Sequence, residues 1–371
     1  MSAAPHTISD REHMARALQL AERGLYTADP NPCVGCIIVN DGKVVGEGWH
    51  QLAGEAHAEV NALAAAGKAA QGATAYVTLE PCCHAGRTGA CTEALHTAGI
   101  SRVVFAVDDP NPQVSGKGAE WLRQHGIEVS GDLLADQATD LNAGFWSRMQ
   151  RKRPRVVSKL AASLDGRTAL ANGDSQWLTG EAARLDVQRL RARSSAVLTG
   201  VATVLADNPS LNVRAAEYAD CKQPLRVILD SKLRTPPHAK TLSLPGKVLI
   251  LTVSDAPDKA AALTAAGAEV VVIAAEQGRV SLSEALVLLA ERELNNVLVE
   301  AGAVLNGSFL QQGLLDEVVV YQAAHVLGGD ARGMFALAEL EDMSQRPLLE
   351  LNEVRRVGAD LRLSYRVSPA Q

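Results

Sequence analysis

One histidine, one glutamate and two widely spaced cysteines constrain this chain more than any other feature. His57-Ala58-Glu59 is followed by Pro81-Cys82 and then, nine positions after Cys82, by Cys91. One imidazole and two thiolates are a ligand set that suits a zinc ion with its fourth position left for water. Zinc held by His57, Cys82 and Cys91 would acidify that water. Glu59 would accept its proton without ligating the metal, so we predict a catalytic site with Glu59 as general acid–base.

A structural zinc site is the alternative interpretation of the same residues. Cys33-x-x-Cys36 or Cys83 would then supply the fourth protein ligand that structural zinc normally requires. A structural site does not require a glutamate beside its histidine, and we therefore favour the interpretation as a catalytic site. We place Cys83 in the wall of the site and interpret Cys33 and Cys36 as buried small residues rather than a redox pair.

The order of these residues is typical of zinc-dependent nucleobase deaminases, in which a histidine–x–glutamate precedes a proline–cysteine pair. In that class at large the second cysteine follows the first after three positions, whereas here it follows after nine. The pattern predicts a deaminase with an unusual loop between its two thiolate ligands.

Composition and charge exclude several other classes of protein. The chain has 371 residues, which favours two to three domains, and 47% of them are apolar, so each half can bury a core. The formal net charge of -6 disfavours an extended nucleic-acid surface. The sequence has no signal-peptide core and no run near the roughly 20 apolar residues of a membrane span. We expect a cytoplasmic protein with small-molecule ligands and no membrane or nucleic-acid partner.

The order of predicted elements indicates two α/β domains. A capping box of Ser9 and Glu12 opens the first helix, and helices at 57–66 and 92–98 then alternate with strands at 36–39, 75–79 and 102–107. A new series of strands and helices begins at Arg155. Such alternation predicts mostly parallel sheets covered on both faces. The basic, proline-ended stretch 148–155 is interpreted as a domain boundary rather than an RNA patch, which predicts domains 1–150 and 151–371.

Further motifs resemble the bifunctional deaminase–reductases of riboflavin biosynthesis. In the first half these motifs, beside the zinc residues, are Asn31-Pro32-x-Val34-Gly35-Cys36, Leu79-Glu80-Pro81-Cys82, His84, 86–88 and Asp109-Pro110-Asn111-Pro112. In the second half they are 159–167, Ser175-Gln176-Trp177, 200–209, 211–214 and Val299-Glu300-Ala301-Gly302. The nine-position cysteine spacing is this family's own. One departure is Thr88-Gly89-Ala90, where the family usually has two prolines before the cysteine.

The resemblance implies both a fold and an activity for each half. The N-terminal half would have a cytidine-deaminase-like three-layer α/β/α fold and would hydrolyse the 2-amino group of 2,5-diamino-6-(5-phosphoribosylamino)pyrimidin-4-one. The C-terminal half would have a dihydrofolate-reductase-like α/β fold. It would use NADPH to reduce the ribose of 5-amino-6-(5-phosphoribosylamino)uracil to a ribityl chain. Zn²⁺ and NADPH are thus the implied cofactors, and a homo-oligomer formed through the reductase domain is the implied assembly.

The resemblance also assigns binding residues. Those matching positions that line the pyrimidine and its phosphoribosyl arm are Asn31, His84, Arg87, Asp109 and Asn111. Those matching the reductase substrate positions are Ser175, Arg191, Leu211, Arg214 and Glu300. Those matching the cofactor positions are Ala161, Trp177, Thr203, Asp207, Ser231 and the turn Gly302, Ala303, Val304, Leu305, Asn306, Gly307 and Ser308. Asx residues beside prolines also form ordinary turns, which is the alternative for the first set.

Elementary chemistry agrees with several of these assignments. Arg87 suits a phosphate as a planar donor fork, and two converging arginines suit a ribose phosphate. No G-x-G-x-x-G follows a first strand, so the cofactor site is not of the usual dinucleotide type. Gly302 and Gly307 flank a predicted helix start whose backbone N–H groups would meet a pyrophosphate. Lys159 is our candidate for a catalytic polar group near the hydride-accepting carbon, with a salt-bridged strand lysine as the alternative.

Two other functions remain open at this point. One is a zinc deaminase of another base, tRNA adenosine or free cytosine, joined to an unrelated domain. The net negative charge of the chain argues against an RNA substrate, because RNA phosphates need compensating cations. The other is a non-enzymatic nucleotide-binding or scaffold protein with a structural zinc, which would unfold on metal removal.

Overall fold

A computed structural model of the chain describes residues 6–83, 89–112 and 114–368. The polypeptide separates into two units, Met1–Lys152 and Arg153–Gln371. Every helix in the described parts of the chain is too short or too polar to span a bilayer.

The first unit is built on a mixed sheet that has five strands within the described residues. These strands are β1 (Gly35–Asn40), β2 (Lys43–Trp49), β3 (Thr74–Val77), β4 (Arg102–Phe105) and β5 (Glu128–Ser130). Their spatial order is β2-β1-β3-β4-β5. β1 runs antiparallel to β2 and β3, whereas β3, β4 and β5 are parallel to one another.

Helices cover both faces of this sheet. They are α1 (Ile8–Ala21), α2 (Ala58–Ala66), α3 (Cys91–Thr97), α4 (Lys117–Gln124), α5 (Ala135–Leu141) and α6 (Ala143–Arg151), with 3₁₀ turns at Glu22–Gly24 and Gly67–Ala70. Because side chains alternate along a strand, Cys36 and Ile38 of β1 pack with α2, α3 and α4. Ile37 and Val39 pack with α1 and α5 on the opposite face. The predicted three-layer α/β/α arrangement follows directly from this alternation.

Two glycines let α2 lie directly on β2. A Cβ added at Gly46 would come 2.3 Å from the Ala62 carbonyl oxygen, and one at Gly48 would come 2.4 Å from the Ala62 nitrogen. Any larger residue would push α2 away from the sheet. The close contact fixes where α2 begins, and therefore where His57 and Glu59 lie.

The first helix begins earlier than the sequence predicted. Its N-cap is Thr7 rather than Ser9, and Thr7 forms the reciprocal capping box with Asp10 rather than with Glu12. The carboxylate of Asp10 is buried and also accepts hydrogen bonds from the Tyr76 hydroxyl and from Arg102. These tertiary partners favour Asp10 over Glu12 as the acidic member of the box.

The second unit contains a large sheet that has nine strands among the residues described. Its thirteen described strands are β6 (Arg155–Ser163), β7 (Arg167–Ala169), β8 (Ala196–Gly200), β9 (Leu225–Leu229), β10 (Val248–Thr252), β11 (Ala268–Val272), β12 (Ala275–Glu276), β13 (Arg279–Val280), β14 (Asn296–Val299), β15 (Glu317–Ala323), β16 (Arg332–Gly333), β17 (Leu349–Val357) and β18 (Asp360–Val367). The large sheet has the order β11-β10-β9-β8-β14-β6-β15-β18-β17, and β12-β13 and β16-β7 form two small pairs.

The first seven strands in that order are parallel, and β18 and β17 are antiparallel to their neighbours. The helices are α7 (Glu181–Ala192), α8 (Val201–Asp207), α9 (Lys240–Ser243), α10 (Pro257–Ala265), α11 (Leu282–Glu291) and α12 (Ala303–Gln311), with 3₁₀ turns at Ala216–Tyr218 and Met343–Gln345. Leu198 and Val299 pack towards α11 and α12, while Val197 and Leu298 pack on the other face. The carboxyl ends of the parallel strands meet at one edge, where ligands of open α/β sheets bind.

Candidate functional sites

Three potential metal ligands lie close together in the first unit. His57 is the N-cap of α2, Cys82 lies in the loop after β3, and Cys91 is the first residue of α3. The ligand atoms of the three side chains all lie within 4.8 Å of one another. His57 Nδ1 is 3.2 Å from Cys91 Sγ and 3.7 Å from Cys82 Sγ. The predicted ligand set therefore converges on one point.

This arrangement fits a zinc ion. Tetrahedral zinc with the usual Zn–N and Zn–S bond lengths requires N···S separations of roughly 3.6 Å, between the two distances observed. In the part of the chain that the structure describes, no further histidine, cysteine or carboxylate joins this group. Cys33 and Cys36 pack in separate apolar clusters, so they cannot complete a structural site here. Three donors with one open position is the composition of a catalytic zinc centre.

A hydrogen bond between the two cysteines changes their pKa values in opposite directions. The hydrogen bond from Cys91, together with His57, lowers the pKa of Cys82 to about 4 in spite of burial. The same bond and burial raise the pKa of Cys91 well above its usual value. The lowered pKa of Cys82 favours its thiolate, the form that binds zinc.

Glu59 lies in the first turn of α2 and is only 3% exposed. Burial, reinforced by the nearby Cys82, raises the pKa of its carboxyl group. A buried carboxyl with a raised pKa beside a metal site is suited to accept and return a proton near neutral pH. Glu59 is not among the three residues whose ligand atoms cluster.

The predicted pyrimidine-binding residues are only partly described. Asn31 Nδ2 lies 3.0 Å from His50 Nε2, and the ring of His50 meets the ring of His57 edge-on with centroids 5.5 Å apart. Asp109 accepts a hydrogen bond of 2.8 Å from the Asn111 backbone. His84 and Arg87 lie outside the described residues.

Sequence reasoning missed His50. It is 3% exposed, and its Nδ1 lies 3.2 Å from the Ala56 carbonyl oxygen, immediately before the metal ligand His57. The sequence offered a usable indication, since a histidine directly after a strand and seven residues before the first ligand is placed to face the same site.

The second unit contains a cleft of about 1590 Å³ at the carboxyl ends of its parallel strands. Most residues predicted to bind substrate or cofactor line it: Lys159, Ala161, Ser175, Trp177, Arg191, Thr203, Asp207, Leu211, Arg214, Ser231, Glu300, Gly302, Ala303, Val304, Leu305 and Ser308. They come from elements far apart in the sequence, and the parallel sheet brings them to one edge. The volume exceeds that of a typical small-ligand pocket and would accommodate two ligands side by side.

Two predicted cofactor residues do not line this cleft. The segment predicted as a turn from Gly302 to Ser308 is the beginning of α12 instead. Asn306 is fully buried; it donates to the Ala301 carbonyl oxygen and accepts from the Ser158 hydroxyl. A Cβ added at Gly307 would come 2.0 Å from the Ala336 carbonyl oxygen. Both residues therefore hold α12 in place, and their side-chain positions give no support to a cofactor contact.

A buried ion pair lies in the cleft. Arg191 binds Glu300 through two hydrogen bonds of 2.5 and 2.9 Å and donates a third to the Asn212 carbonyl oxygen. Although burial acts to raise it, the pKa of Glu300 is lowered because Arg191 stabilises the carboxylate. Both oxygens of Glu300, one of the predicted substrate residues, accept hydrogen bonds from Arg191.

Two further cations line the same part of the cleft. Burial lowers the pKa of Lys159, and the carboxylate of Glu300 opposes this effect. Burial and the charge of Arg191 lower the pKa of Arg214. With one carboxylate among three cations, the local charge is positive, which suits a phosphorylated ligand.

Comparisons with known proteins agree with these two sites. Residues 7–107 match the family model of the cytidine and deoxycytidylate deaminase zinc-binding region, and residues 154–363 match that of the RibD C-terminal domain. Riboflavin biosynthesis protein RibD of Escherichia coli is 47% identical over 365 residues, covering 95% of this chain and 98% of that protein. The same protein of Haemophilus influenzae is 46% identical, covering 95% and 96%. This chain belongs to the RibD family.

Solved structures of family members have the same fold. Acinetobacter baumannii RibD superposes with a TM-score of 0.90 at 46% identity, covering 98% of this chain and 99% of that one. A Thermotoga maritima diaminohydroxyphosphoribosylaminopyrimidine deaminase/5-amino-6-(5-phosphoribosylamino)uracil reductase superposes with a TM-score of 0.85 at 34% identity, covering 97% and 99%.

Membership of the RibD family confirms several predictions made from the sequence. The chain is a bifunctional enzyme of riboflavin biosynthesis with a cytidine-deaminase-like and a dihydrofolate-reductase-like domain. Its cofactors are zinc and NADPH. A deaminase of another base fused to an unrelated domain is not favoured, and the non-enzymatic interpretation is wrong.

Proposed function

We propose that the two activities divide between the predicted domains 1–150 and 151–371. The first would hydrolyse the 2-amino group of 2,5-diamino-6-(5-phosphoribosylamino)pyrimidin-4-one. The second would reduce the ribosyl chain of 5-amino-6-(5-phosphoribosylamino)uracil to the ribityl product. Support comes from the two activities that name the T. maritima relative and from the two separate sites, one in each unit. The single observation that carries the first activity is the convergence of His57, Cys82 and Cys91 beside the buried Glu59.

In the deaminase domain, the metal would be held by His57 Nδ1, Cys82 Sγ and Cys91 Sγ. Zinc bound there supplies a Lewis acid that makes water a nucleophile near neutral pH. Glu59 accepts the proton of the attacking water and returns it to the departing amino group, so that the C2–N bond breaks and ammonia leaves. Burial raises the pKa of Glu59, which makes its carboxylate a stronger base than that of an exposed glutamate.

Binding of the pyrimidine substrate would involve Asn31, Asp109 and Asn111. The amide of Asn31 lies within hydrogen-bond distance of His50, and the Asp109 carboxylate accepts a hydrogen bond from the Asn111 backbone N–H. An amide and a carboxylate suit the donor and acceptor edge of a diaminopyrimidinone. His84 and Arg87, which lie outside the described residues, are proposed to line the pyrimidine or its phosphoribosyl arm.

In the reductase domain, Arg191, Arg214 and Glu300 would form the phosphoribosyl end of the substrate site, with Ser175 and Leu211 beside them. Lys159 would hold its ammonium near the carbon that is reduced. NADPH supplies the hydride. Its site would comprise Ala161, Trp177, Thr203, Asp207, Ser231 and the start of α12 at 302–305, with Ser308. The lowered pKa of Lys159 makes it a better proton donor than an ordinary lysine.

We also propose a cytoplasmic homo-oligomer formed through the reductase domain, with no nucleic-acid partner. The edge strand β17 supports the assembly, because Leu349, Leu351 and Val354 are 39%, 54% and 55% exposed at the end of the sheet. Exposed apolar edge strands are normally covered by a partner. The net charge of -6 argues against nucleic acid.

A coupled assay tests the proposed function. Purified protein with zinc and NADPH should release ammonia from the diaminopyrimidine and should oxidise NADPH only after deamination. NADPH oxidation without ammonia release from that substrate would contradict the order. A gel shift with tRNA at physiological salt should show no complex.

A further inference from the structure

Glu80 is a buried carboxylate that the mechanism above does not use. It lies between β3 and the metal ligand Cys82 and is only 3% exposed. The backbone N–H of Glu80 donates to the Val107 carbonyl oxygen. The segment around Glu80 therefore lies beside the residues that follow β4. A carboxylate so deeply buried must be satisfied by hydrogen bonds.

Three backbone N–H groups satisfy this carboxylate. Its Oε2 accepts from Asp109 at 3.3 Å and from Gly116 at 2.8 Å, and its Oε1 accepts from Ala119 at 3.0 Å. Asp109 and Gly116 are the two ends of the loop that carries Asn111. One side chain therefore holds both ends of the loop that contains two of the proposed substrate residues.

The same carboxylate replaces a missing helix cap. The N-cap residue of α4, Gly116, has no side chain to accept from the first turn of the helix. Glu80 accepts from Gly116 and Ala119 instead, and its negative charge lies at the positive end of the helix. Gly118 allows this approach, since an added Cβ there would come 1.9 Å from the Pro81 carbonyl oxygen.

On the other side, Glu80 is tied to the metal site through the chain itself. Cys82 is two residues away, its carbonyl oxygen accepts from the Thr92 N–H, and its Sγ accepts from the Cys91 N–H. The Glu80–Cys82 segment thus has fixed contacts to the metal ligands on one side and to the 109–116 loop on the other.

We propose that Glu80 is a positioning residue for the deaminase. It sets the distance between the metal ligands and the loop of Asp109 and Asn111, so that the bound pyrimidine presents its C2 to the metal site. Glu80 touches neither substrate nor metal. This inference rests on the proposed substrate role of that loop.

The variant Glu80→Gln tests the proposal, because it keeps the size of the side chain but replaces one acceptor oxygen with an N–H₂ donor. That group would face backbone donors and release one end of the loop. We expect the KM for the diaminopyrimidine to rise by about tenfold or more, since loss of one buried hydrogen bond to a charged group is worth about a factor of ten. The zinc content should stay at one ion per chain, and reduction of the deaminated substrate by the same protein should not change.

A matched control is Glu128→Gln, which makes the same chemical change at a side chain that is 67% exposed on β5. It should leave both activities unchanged. An unchanged KM in Glu80→Gln, even with a lowered melting temperature, would show that Glu80 only caps α4. Loss of zinc with an intact KM on reconstitution would also overturn the proposal.

Asn111→Ala separates this inference from the proposed function. If Asn111→Ala leaves the KM unchanged, the substrate role of the loop fails. If it raises the KM while Glu80→Gln does not, only the role of Glu80 fails. In the double variant we expect the KM to rise by less than the product of the two single effects, because both act through one loop.

If Glu80→Gln does not yield folded protein, Glu80→Asp decides the question. The shorter side chain keeps both acceptor oxygens and the charge but draws the loop towards the strand. The proposal predicts a raised KM with full zinc content, and an unchanged KM would contradict it.

Discussion

The two sites of this enzyme differ in how much of the chain builds them. The metal site places three ligand atoms within 4.8 Å, and all of them come from the 35 positions between His57 and Cys91. The reductase cleft encloses about 1590 Å³, and its lining runs from Lys159 to Arg332. A compact site depends on single atoms, whereas a broad cleft spreads binding over many contacts.

This difference predicts the size of mutational effects. Removal of one functional atom at the metal site should nearly abolish an activity, because no further potential ligand joins the three among the described residues. In the cleft, a substitution should change stability, binding or pH dependence by degrees. The predictions that follow test this contrast, beginning with the largest expected effect.

The variant Glu59→Gln should lower the rate of deamination by about 10²–10⁴-fold, because it removes the group that moves the proton. Zinc content and reduction of the already deaminated substrate should be retained. Ammonia release and NADPH oxidation, measured on the same preparation, give both rates. The matched control is Glu93→Gln, since Glu93 also lies in the first turn of a helix but is exposed. Deamination that survives in Glu59→Gln would remove Glu59 from the mechanism.

Removal of the metal by a chelator should abolish deamination but leave the first unit folded. Two apolar clusters, one on each face of its sheet, stabilise the unit independently of the ligands. Far-UV circular dichroism should therefore change little, and added zinc should restore turnover. Cooperative unfolding on chelation would instead indicate a structural metal.

Glu300→Gln tests the cleft. It leaves Arg191 buried without its charged partner, which should lower the free energy of unfolding of the second unit by about 3 kcal/mol. Urea denaturation followed by the rate of NADPH oxidation measures this loss, and deamination should not change. The control is Glu269→Gln. Glu269 also accepts two hydrogen bonds from one arginine, Arg292, but its side chain is 54% exposed, so the loss should stay below about 1 kcal/mol. Equal losses in the two variants would show that burial of the Arg191 pair has no energetic consequence.

The smallest effect is expected in the pH profile of reduction. Burial lowers the pKa of Lys159, so its active ammonium form is lost as the pH rises through a value below the usual 10.5. The rate of NADPH oxidation should fall over that alkaline range. Lys159→Arg keeps the charge at all accessible pH values and should remove this limb, even if it lowers the plateau. A profile that is the same in both proteins would exclude Lys159 as the titrating group.

The sequence predicted the parts of the fold that depend on local patterns. The metal ligands, Glu59 and the strands predicted at 75–79 and 102–107 follow from motif chemistry and from continuous apolar runs. The terminal hairpin β17–β18 was not predicted, because the alternation of apolar and polar residues in β17 is interrupted at 352–353 and 355–356, and the strand is almost entirely exposed. β18 pairs with β15 and β17 pairs with β18, and no local pattern indicates the first of these contacts.

Site residues that act through tertiary contacts could not be predicted in the same way. Nothing in the sequence indicates that Glu80 accepts hydrogen bonds from residues 29 to 39 positions away. Likewise, Asn306 and Gly307 lie in a segment that matches a cofactor motif, yet close packing of α12 against Ala336 removes them from the cleft. A motif indicates which residues could take part in the chemistry, but packing decides which of those side chains line the site.

Zinc K-edge absorption spectroscopy on the purified protein tests the central claim most directly. We predict a single zinc per chain with one nitrogen, two sulfur ligands and one light atom in the fourth position, and the loss of one sulfur in Cys91→Ser. Four protein ligands, or a spectrum unchanged by Cys91→Ser, would contradict the account.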